Sequence, residues 1–150
     1  PELTSKDVRI VPSRSIPAAL NALTAFNTDL SLDANVAEMT DAMADTIAVA
    51  VTRAVRDVEL NGVTVGQGQA IGLINDDLKT SGDDDLEVAL RTLEEAGVDD
   101  PELLTVFVGR DVDPDDASRL EEALAERWPD AEIEMHEGGQ PHYRYIISAE

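Results

Sequence analysis

The spacing of apolar residues predicts a strand and a helix at the start of the chain. Residues 8–11 form a short, mostly β-branched run that predicts a strand, and Pro12 ends it. Ser13 or Ser15 can cap the helix that follows, with Pro17 in its first turn. The apolar stripe of this helix consists of Ile16, Leu20, Leu23 and Phe26.

A second helix and a buried strand come next. The helix begins near Asp33, and we expect the methionines on its stripe to fill gaps in the core. That stripe consists of Val36, Met39 and Met43. Residues 47–55 are a long Val-rich run, which predicts a central strand with Arg53 and Arg56 near its end.

The middle of the chain predicts consecutive antiparallel strands. Asn61-Gly62 separates residues 58–60 from residues 63–65 and is a strong hairpin signal. Residues 70–74 and 78–80 predict a further strand pair, which turns between them. The pattern is therefore that of a β-meander.

Two capped helices and three strands fill the rest of the chain. Asp84 and Asp113 each stand where a helix begins. The inward stripes predicted for these helices are Leu86, Leu90 and Leu93 in the first, and Ala117, Leu120, Leu124 and Trp128 in the second. The predicted strands are Leu103 to Val108, a half-buried one with Ile133 and Met135, and a half-buried last one with Tyr143, Tyr145 and Ile147. Strands that alternate with helices and hairpins predict a single α/β domain with a mixed sheet and about four helices.

The loop between the last two strands is the best candidate for a contact site. Two glycines and a proline interrupt regular structure there, and buried strands are expected on both sides. The competing interpretation is that Gly138-Gly139 makes a simple hairpin turn between ordinary surface histidines. The candidate partner-binding residues in and beside the loop are His136, Gly138, Gly139, Gln140, Pro141, His142 and Tyr143.

Charge and composition exclude several classes of partner. The 150 residues contain 32 acids against 11 bases, which gives a net charge of −21. Such a charge disfavours nucleic acid and anionic membranes, and it favours a basic partner surface. The chain has no cysteine, which fits a cytoplasmic location, and no apolar run is long enough to cross a membrane.

The sequence contains no convincing site for a nucleotide or a metal. Gly66 to Gly72 resembles a dinucleotide loop only loosely, because the spacing is one residue too long and a strand follows it. Asp111, Asp113 and Asp115 resemble the start of a calcium loop, but Asp116 occupies the position that needs glycine. We therefore expect no catalytic residue, metal or cofactor in this chain.

Several separated blocks resemble the C-terminal region of the DAK-phosphatase, or dihydroxyacetone-kinase-like, family, which includes the catalytic subunit of bacterial fatty acid kinase. The blocks are His136–Glu150, Ile10–Pro17 with Ala25–Asn27, Asn35-Val36 with Met39, Val51–Asp57 with Asn61-Gly62, Gly66–Gly72, and Thr105–Gly109. The resemblance implies a C-terminal fragment of a longer multi-domain kinase-like protein. It also implies that carboxylates of a separate N-terminal domain hold ATP and magnesium.

The resemblance implies a docking function. The domain would bind a DegV-like fatty-acid-binding partner, so that the ATP domain can phosphorylate the acyl carboxylate. The alternatives are a phosphatase-like or phosphate-binding activity in the fragment itself, or a dimerisation domain that forms a homodimer. Convergence of Arg14, Arg53, Arg56 and His136 in one pocket would favour phosphate chemistry, and their dispersal would favour docking.

Overall fold

The fold is a mixed sheet with helices on both faces. The computed structural model describes residues 6–44, 46–60 and 63–150. Its helices are α1 (Ile16–Thr24), α2 (Leu32–Ala44), α3 (Asp85–Glu95) and α4 (Pro114–Arg127). Its strands are β1 (Ile47–Arg53), β2 (Val58–Leu60), β3 (Val63–Val65), β4 (Ala70–Ile74), β5 (Asp77–Gly82), β6 (Leu103–Val108), β7 (Glu132–Glu137) and β8 (Tyr143–Ala149). The predicted α/β class is confirmed.

Six strands form the main sheet in the order β5-β4-β1-β8-β6-β7. β6 and β7 are parallel and are joined through α4, whereas the other neighbouring pairs are antiparallel. The carboxyl ends of β1, β6 and β7 therefore lie at the same edge of the sheet as the amino end of β8. We call this edge the top edge, and it carries the predicted contact loop.

The main core lies between the sheet and the pair α3–α4. Alternate residues of β1, β6 and β8 point to this face, as the two-residue repeat of a strand requires. The fully buried members of this core include Val51, Leu93, Leu104, Val106, Leu120, Leu124, Tyr145 and Ile147. Asp84 and Asp113 cap α3 and α4 through their side chains, as predicted.

The other face of the sheet is covered only in part. α1 packs on β1 and β8, α2 packs on α1, and the hairpin β2–β3 packs beside β5. The side chains of Thr105 and Phe107 point to this second face, because Leu104 and Val106 belong to the main core. No described helix packs on β6 or β7 from this side.

Three strand predictions need correction. Residues 8–11 form no strand, because none of their backbone groups joins a ladder among the described residues. The last strand is not half-buried: β8 occupies the centre of the sheet, and residues 145–149 are buried on both faces. β7, by contrast, is an edge strand with mostly exposed side chains, so buried strands do not flank the contact loop on both sides.

The inward face of α3 also differs from the predicted leucine stripe. Its buried residues are Asp85, Val88, Ala89, Thr92 and Leu93, and Leu86 and Leu90 are half-buried at its border. The stripe of α2 is half-buried, as befits a helix that packs on another helix. The β2–β3 hairpin exists as predicted, although its turn at residues 61–62 lies outside the described residues.

The hairpin interpretation of Gly138-Gly139 is wrong. β7 and β8 are not neighbours, because β6 lies between them and pairs with both. The segment between Glu137 and Tyr143 therefore crosses the top edge over the end of β6. Gly138 and Gly139 therefore belong to this crossing segment and not to a two-residue hairpin turn.

Candidate functional site

Four hydrogen bonds hold the contact loop, residues 138–142, against the end of β6 and the chain just after it. The backbone N–H groups of Gly138 and Gly139 both donate to the carbonyl of Val108, at 3.0 and 3.1 Å. The Gln140 side chain donates from Nε2 to the carbonyl of Phe107 at 2.8 Å, and the Gln140 carbonyl accepts from the N–H of Arg110 at 3.2 Å. The loop is therefore tied to the backbone of β6 and to that of Arg110.

The far end of the loop is anchored to β1 and pressed against the chain after β6. Thr52 Oγ1 donates to the His142 carbonyl at 2.5 Å. Gly139 and His142 both have a left-handed backbone, with φ of +62° and +73°. A Cβ atom added to Gly109 would lie 2.0 Å from the carbonyl oxygen of Tyr143, so the two segments can be this close only with glycine at 109.

Aromatic and polar groups are exposed beside the loop. The His136 ring stacks on Phe107, with ring centroids 5.6 Å apart and planes inclined by 27°. Its Nε2 lies 3.1 Å from Glu134 Oε2. Pro141 and His142 are exposed, while Gln140 is half-buried because it anchors the loop. His136, near the end of β7, and residues 138–142 therefore lie close together at the top edge.

A cleft of about 460 Å³ opens next to these residues, between the contact loop and the start of α4. Its lining is mainly apolar and includes Val108, Val112, Ala117, Met135, His136 and Gly139. Arg110 stands at the cleft, and none of the described acids pairs with its guanidinium. Concave apolar lining with a few polar groups is typical of binding sites.

The arginines singled out by sequence do not converge with His136. Arg53 Nη2 pairs with Asp85 Oδ2 at 3.0 Å, and Arg53 Nη1 donates to the Gly68 carbonyl at 2.9 Å. Arg14 lines a separate cleft between α1 and the sheet, together with Tyr143. Arg56 is exposed after the end of β1. Arg14, Arg53 and His136 therefore line three different clefts.

An ionic cluster that the sequence does not predict lies at the top edge. Asp85, the first residue of α3, accepts from Arg144 Nε at 2.7 Å as well as from Arg53. Arg144 also pairs with Asp116 Oδ2 at 3.3 Å and donates to the carbonyl of Asp111. The pairing joins β1, β8, α3 and α4 in one cluster. Nothing in the sequence pattern reveals it, because its members are up to 91 positions apart, counting from Arg53 to Arg144.

Tyr145 lies next to this cluster in the core. Burial of its ring raises the pKa of its hydroxyl from 10.0 to about 12, although the nearby Arg144 cation acts in the opposite direction. The hydroxyl is therefore neutral at physiological pH. Within residues 6–44, 46–60 and 63–150, no group of three or more His, Asp or Glu side chains could hold a metal ion.

The comparisons with known proteins agree with this architecture. Residues 2–150 match the family model for the C-terminal region of fatty acid kinase proteins of the FakA-like type. The chain belongs to this family. The match runs through every helix and strand described above. No helix among the described residues is long and apolar enough to cross a membrane.

Two curated relatives are proteins of Staphylococcus aureus strains MRSA252 and USA300, both described as uncharacterized. Each is 36% identical over 141 residues, and the match covers 94% of this chain. The matched region is only 26% of the length of each relative.

A solved structure has the same fold. It is the Streptococcus pneumoniae fatty acid kinase (Fak) B3 protein, crystallised with linoleic acid. The TM-score is 0.55 at 14% identity, and the match covers 81% of this chain and 50% of that one. At this identity the likeness concerns the fold alone.

Proposed function

We propose that this domain is the docking module of a fatty acid kinase-type protein. It binds a fatty-acid-binding protein and holds that protein's ligand so that an ATP-binding domain can phosphorylate the acyl carboxylate. ATP and magnesium belong to that other domain, and the reaction takes place in the cytoplasm. The family match supports the kinase context.

The observation that carries the docking proposal is the contact loop at the top edge, which hydrogen bonds hold in place. Association costs less free energy when the contacting groups are already ordered. Four hydrogen bonds to β6 and the chain after it, and one from Thr52, fix the loop while Pro141 and His142 remain exposed. Beside the loop, the stacked pair Phe107–His136 adds apolar area on the second face of the sheet, and the cleft adds apolar area on the side of α4.

Charge favours a basic partner. The chain carries a net charge of −21, and opposite charges steer two proteins together.

The alternative, phosphate chemistry in this domain, receives no support from the arginines, because Arg14 and Arg53 line clefts away from His136.

The test is surface plasmon resonance with a fatty-acid-loaded Fak B3 protein as the probe. Replacing Gln140 and His142 by alanine should weaken binding mainly through faster dissociation, because close contacts govern the lifetime of a complex. Raising the salt concentration should instead slow association, because salt screens exposed charges over about 10 Å at 0.1 M. Glu126→Ala, on the exposed side of α4, is the control. Unchanged binding kinetics in the double variant would show that the loop is not part of the docking surface.

A further inference from the structure

The outer side of β7 is an open strand edge. β7 and β5 are the two edge strands of the main sheet, and among the described residues β7 pairs only with β6. The hairpin β2–β3 packs beside β5, whereas no described strand lies on the outer side of β7. Native edge strands are commonly interrupted by a proline or a bulge, which prevents pairing with another chain. β7 contains no proline, and its pairs with β6 follow one another in unbroken register.

The backbone groups that face outward belong to alternate residues of β7. The N–H of Glu132 donates to the Glu102 carbonyl at 2.9 Å, and that of Gly138 donates to the Val108 carbonyl at 3.0 Å. Backbone groups of a strand point to the same side at every second residue, so the even-numbered residues in between also face β6. The outward N–H and carbonyl groups are therefore those of Ile133, Met135 and Glu137.

The side chains of β7 divide between the two faces of the sheet. Ile133 and Met135 are half-buried and pack against the main core. Glu132, Glu134 and His136 are exposed on the second face, where no described helix packs on β7. A strand added to β7 would therefore place every second side chain beside the two glutamates, and the others beside Ile133 and Met135.

The two glutamates determine which kind of strand fits this edge. Opposite charges on neighbouring strands stabilise the pair, and like charges directly opposite each other destabilise it. Lysine or arginine beside Glu132 and Glu134 is thus favoured, and an acidic strand is rejected. A second copy of the chain would bring its own net charge of −21, which opposes association of two copies.

We propose that β7 is a docking edge for an extended segment of a partner protein in which lysine or arginine alternates with β-branched residues. The segment adds to the sheet through backbone hydrogen bonds to residues 133, 135 and 137. Its basic side chains lie beside Glu132 and Glu134, and its β-branched side chains lie beside Ile133 and Met135. This inference rests on β7 alone and does not depend on the docking function of the contact loop.

The first test is amide hydrogen exchange measured by NMR. The probe is a Lys-Val-Lys-Val-Lys-Val peptide, and the control is the Glu-Val peptide of the same length. At saturating Lys-Val peptide, the amides of residues 133, 135 and 137 should exchange at least about tenfold more slowly, because new ladder hydrogen bonds protect them. Unchanged exchange at these three amides would overturn the proposal, and so would equal affinity for the two peptides.

Substitution of Met135 tests the backbone contribution. Met135→Pro removes an outward N–H and leaves the hydrogen bonds to β6 in place, because proline is tolerated on the open side of an edge strand. Met135→Ala loses the same side chain but keeps the N–H. The proline variant should bind the Lys-Val peptide at least about tenfold more weakly than the alanine variant. Equal affinities would contradict strand addition, and so would a stable dimer in light scattering that Met135→Pro abolishes, since the occupant would then be a second copy.

Charge reversal tests the selection of a basic strand. The double variant Glu132→Lys with Glu134→Lys should prefer the Glu-Val peptide, because the charges beside the added strand are inverted. The control pair is Glu122→Lys with Glu126→Lys, which makes the same change in net charge on the exposed side of α4. This control should keep the preference for the Lys-Val peptide. The same loss of preference in both double variants would show that overall charge selects the peptide, and would overturn the proposal.

Discussion

Arg144 donates to Asp85 across a distance of 2.7 Å, and this pair connects the central strand β8 to the first turn of α3. Asp85 is 8% exposed, and its Oδ2 oxygen pairs with both Arg144 and Arg53. The other oxygen, Oδ1, is buried without a hydrogen-bond partner among the described groups. The carboxylate is therefore the common anion for two arginines at the top edge.

Asp85→Ala should lower the free energy of unfolding by about 3 kcal/mol, because removing one partner of a buried ionic cluster leaves the other charges uncompensated. Urea denaturation measures the effect. The control is Glu94→Ala, which removes the exposed pair with Arg127 and should cost below about 1 kcal/mol. Equal losses of unfolding free energy in the two variants would show that the cluster stabilises the fold no more than an exposed ion pair does.

The hydroxyl of Tyr145 should titrate near pH 12. Because the folded protein holds this proton more tightly than the unfolded chain, the stability contribution is complete below pH 10 and is lost as the pH rises toward about 12. The chain has two tyrosines, so Tyr143→Phe leaves tyrosinate absorbance to Tyr145 alone. Tyr145→Phe should remove the matching fall in stability, and a midpoint near 10 in the Tyr143→Phe variant would contradict the prediction.

Gly139→Val should destabilise the protein more than Gly66→Ala. Gly139 has φ of +62°, which a β-branched residue resists at a cost of about 1–2 kcal/mol, although a Cβ there would meet no neighbour. A Cβ on Gly66 would lie 3.4 Å from Gln69 Oε1, which is ordinary contact, and no left-handed backbone is required. Thermal melts of the two variants decide the matter, and equal midpoints would count against the strain argument.

Gly109→Ala should be more harmful than either substitution. Its Cβ would lie 2.0 Å from the backbone oxygen of Tyr143, so the chain after β6 and the start of β8 must separate. We expect a lower thermal midpoint together with weaker Fak B3 binding, because the contact loop is anchored to the same segment. Gly97→Ala, at a positive-φ helix end with open space around it, controls for backbone strain alone. Normal Fak B3 binding by Gly109→Ala would show that the docking surface does not depend on the close approach of Gly109 to Tyr143.

The chain by itself should not bind ATP with micromolar affinity or hydrolyse it. It has no phosphate loop that leads into a helix, and the described acids and histidines form no group able to hold magnesium. Isothermal calorimetry with ATP and magnesium is the measurement, and titration of magnesium alone is the control. Saturable heat in the presence of both would overturn the expectation.

Sequence determined the class of fold because local patterns carry that information. Caps such as Asp84 and Asp113 act within one turn of their own helix, and a run such as β1 needs only its own apolar residues to predict a buried strand. The left-handed backbone at Gly139 is also a local matter, since only the residue's own sterics are involved.

Tertiary structure decided which strands became neighbours. Gly138-Gly139 satisfies the local rule for a hairpin, but β6 has apolar residues on both faces and occupies the place between β7 and β8. The same insertion brings Gln140 to the Phe107 carbonyl and Gly109 to Tyr143. It also places Arg144 beside Asp85, 59 positions away in the chain. Such contacts depend on strand order, and strand order follows from the packing of the whole sheet, which no local pattern encodes.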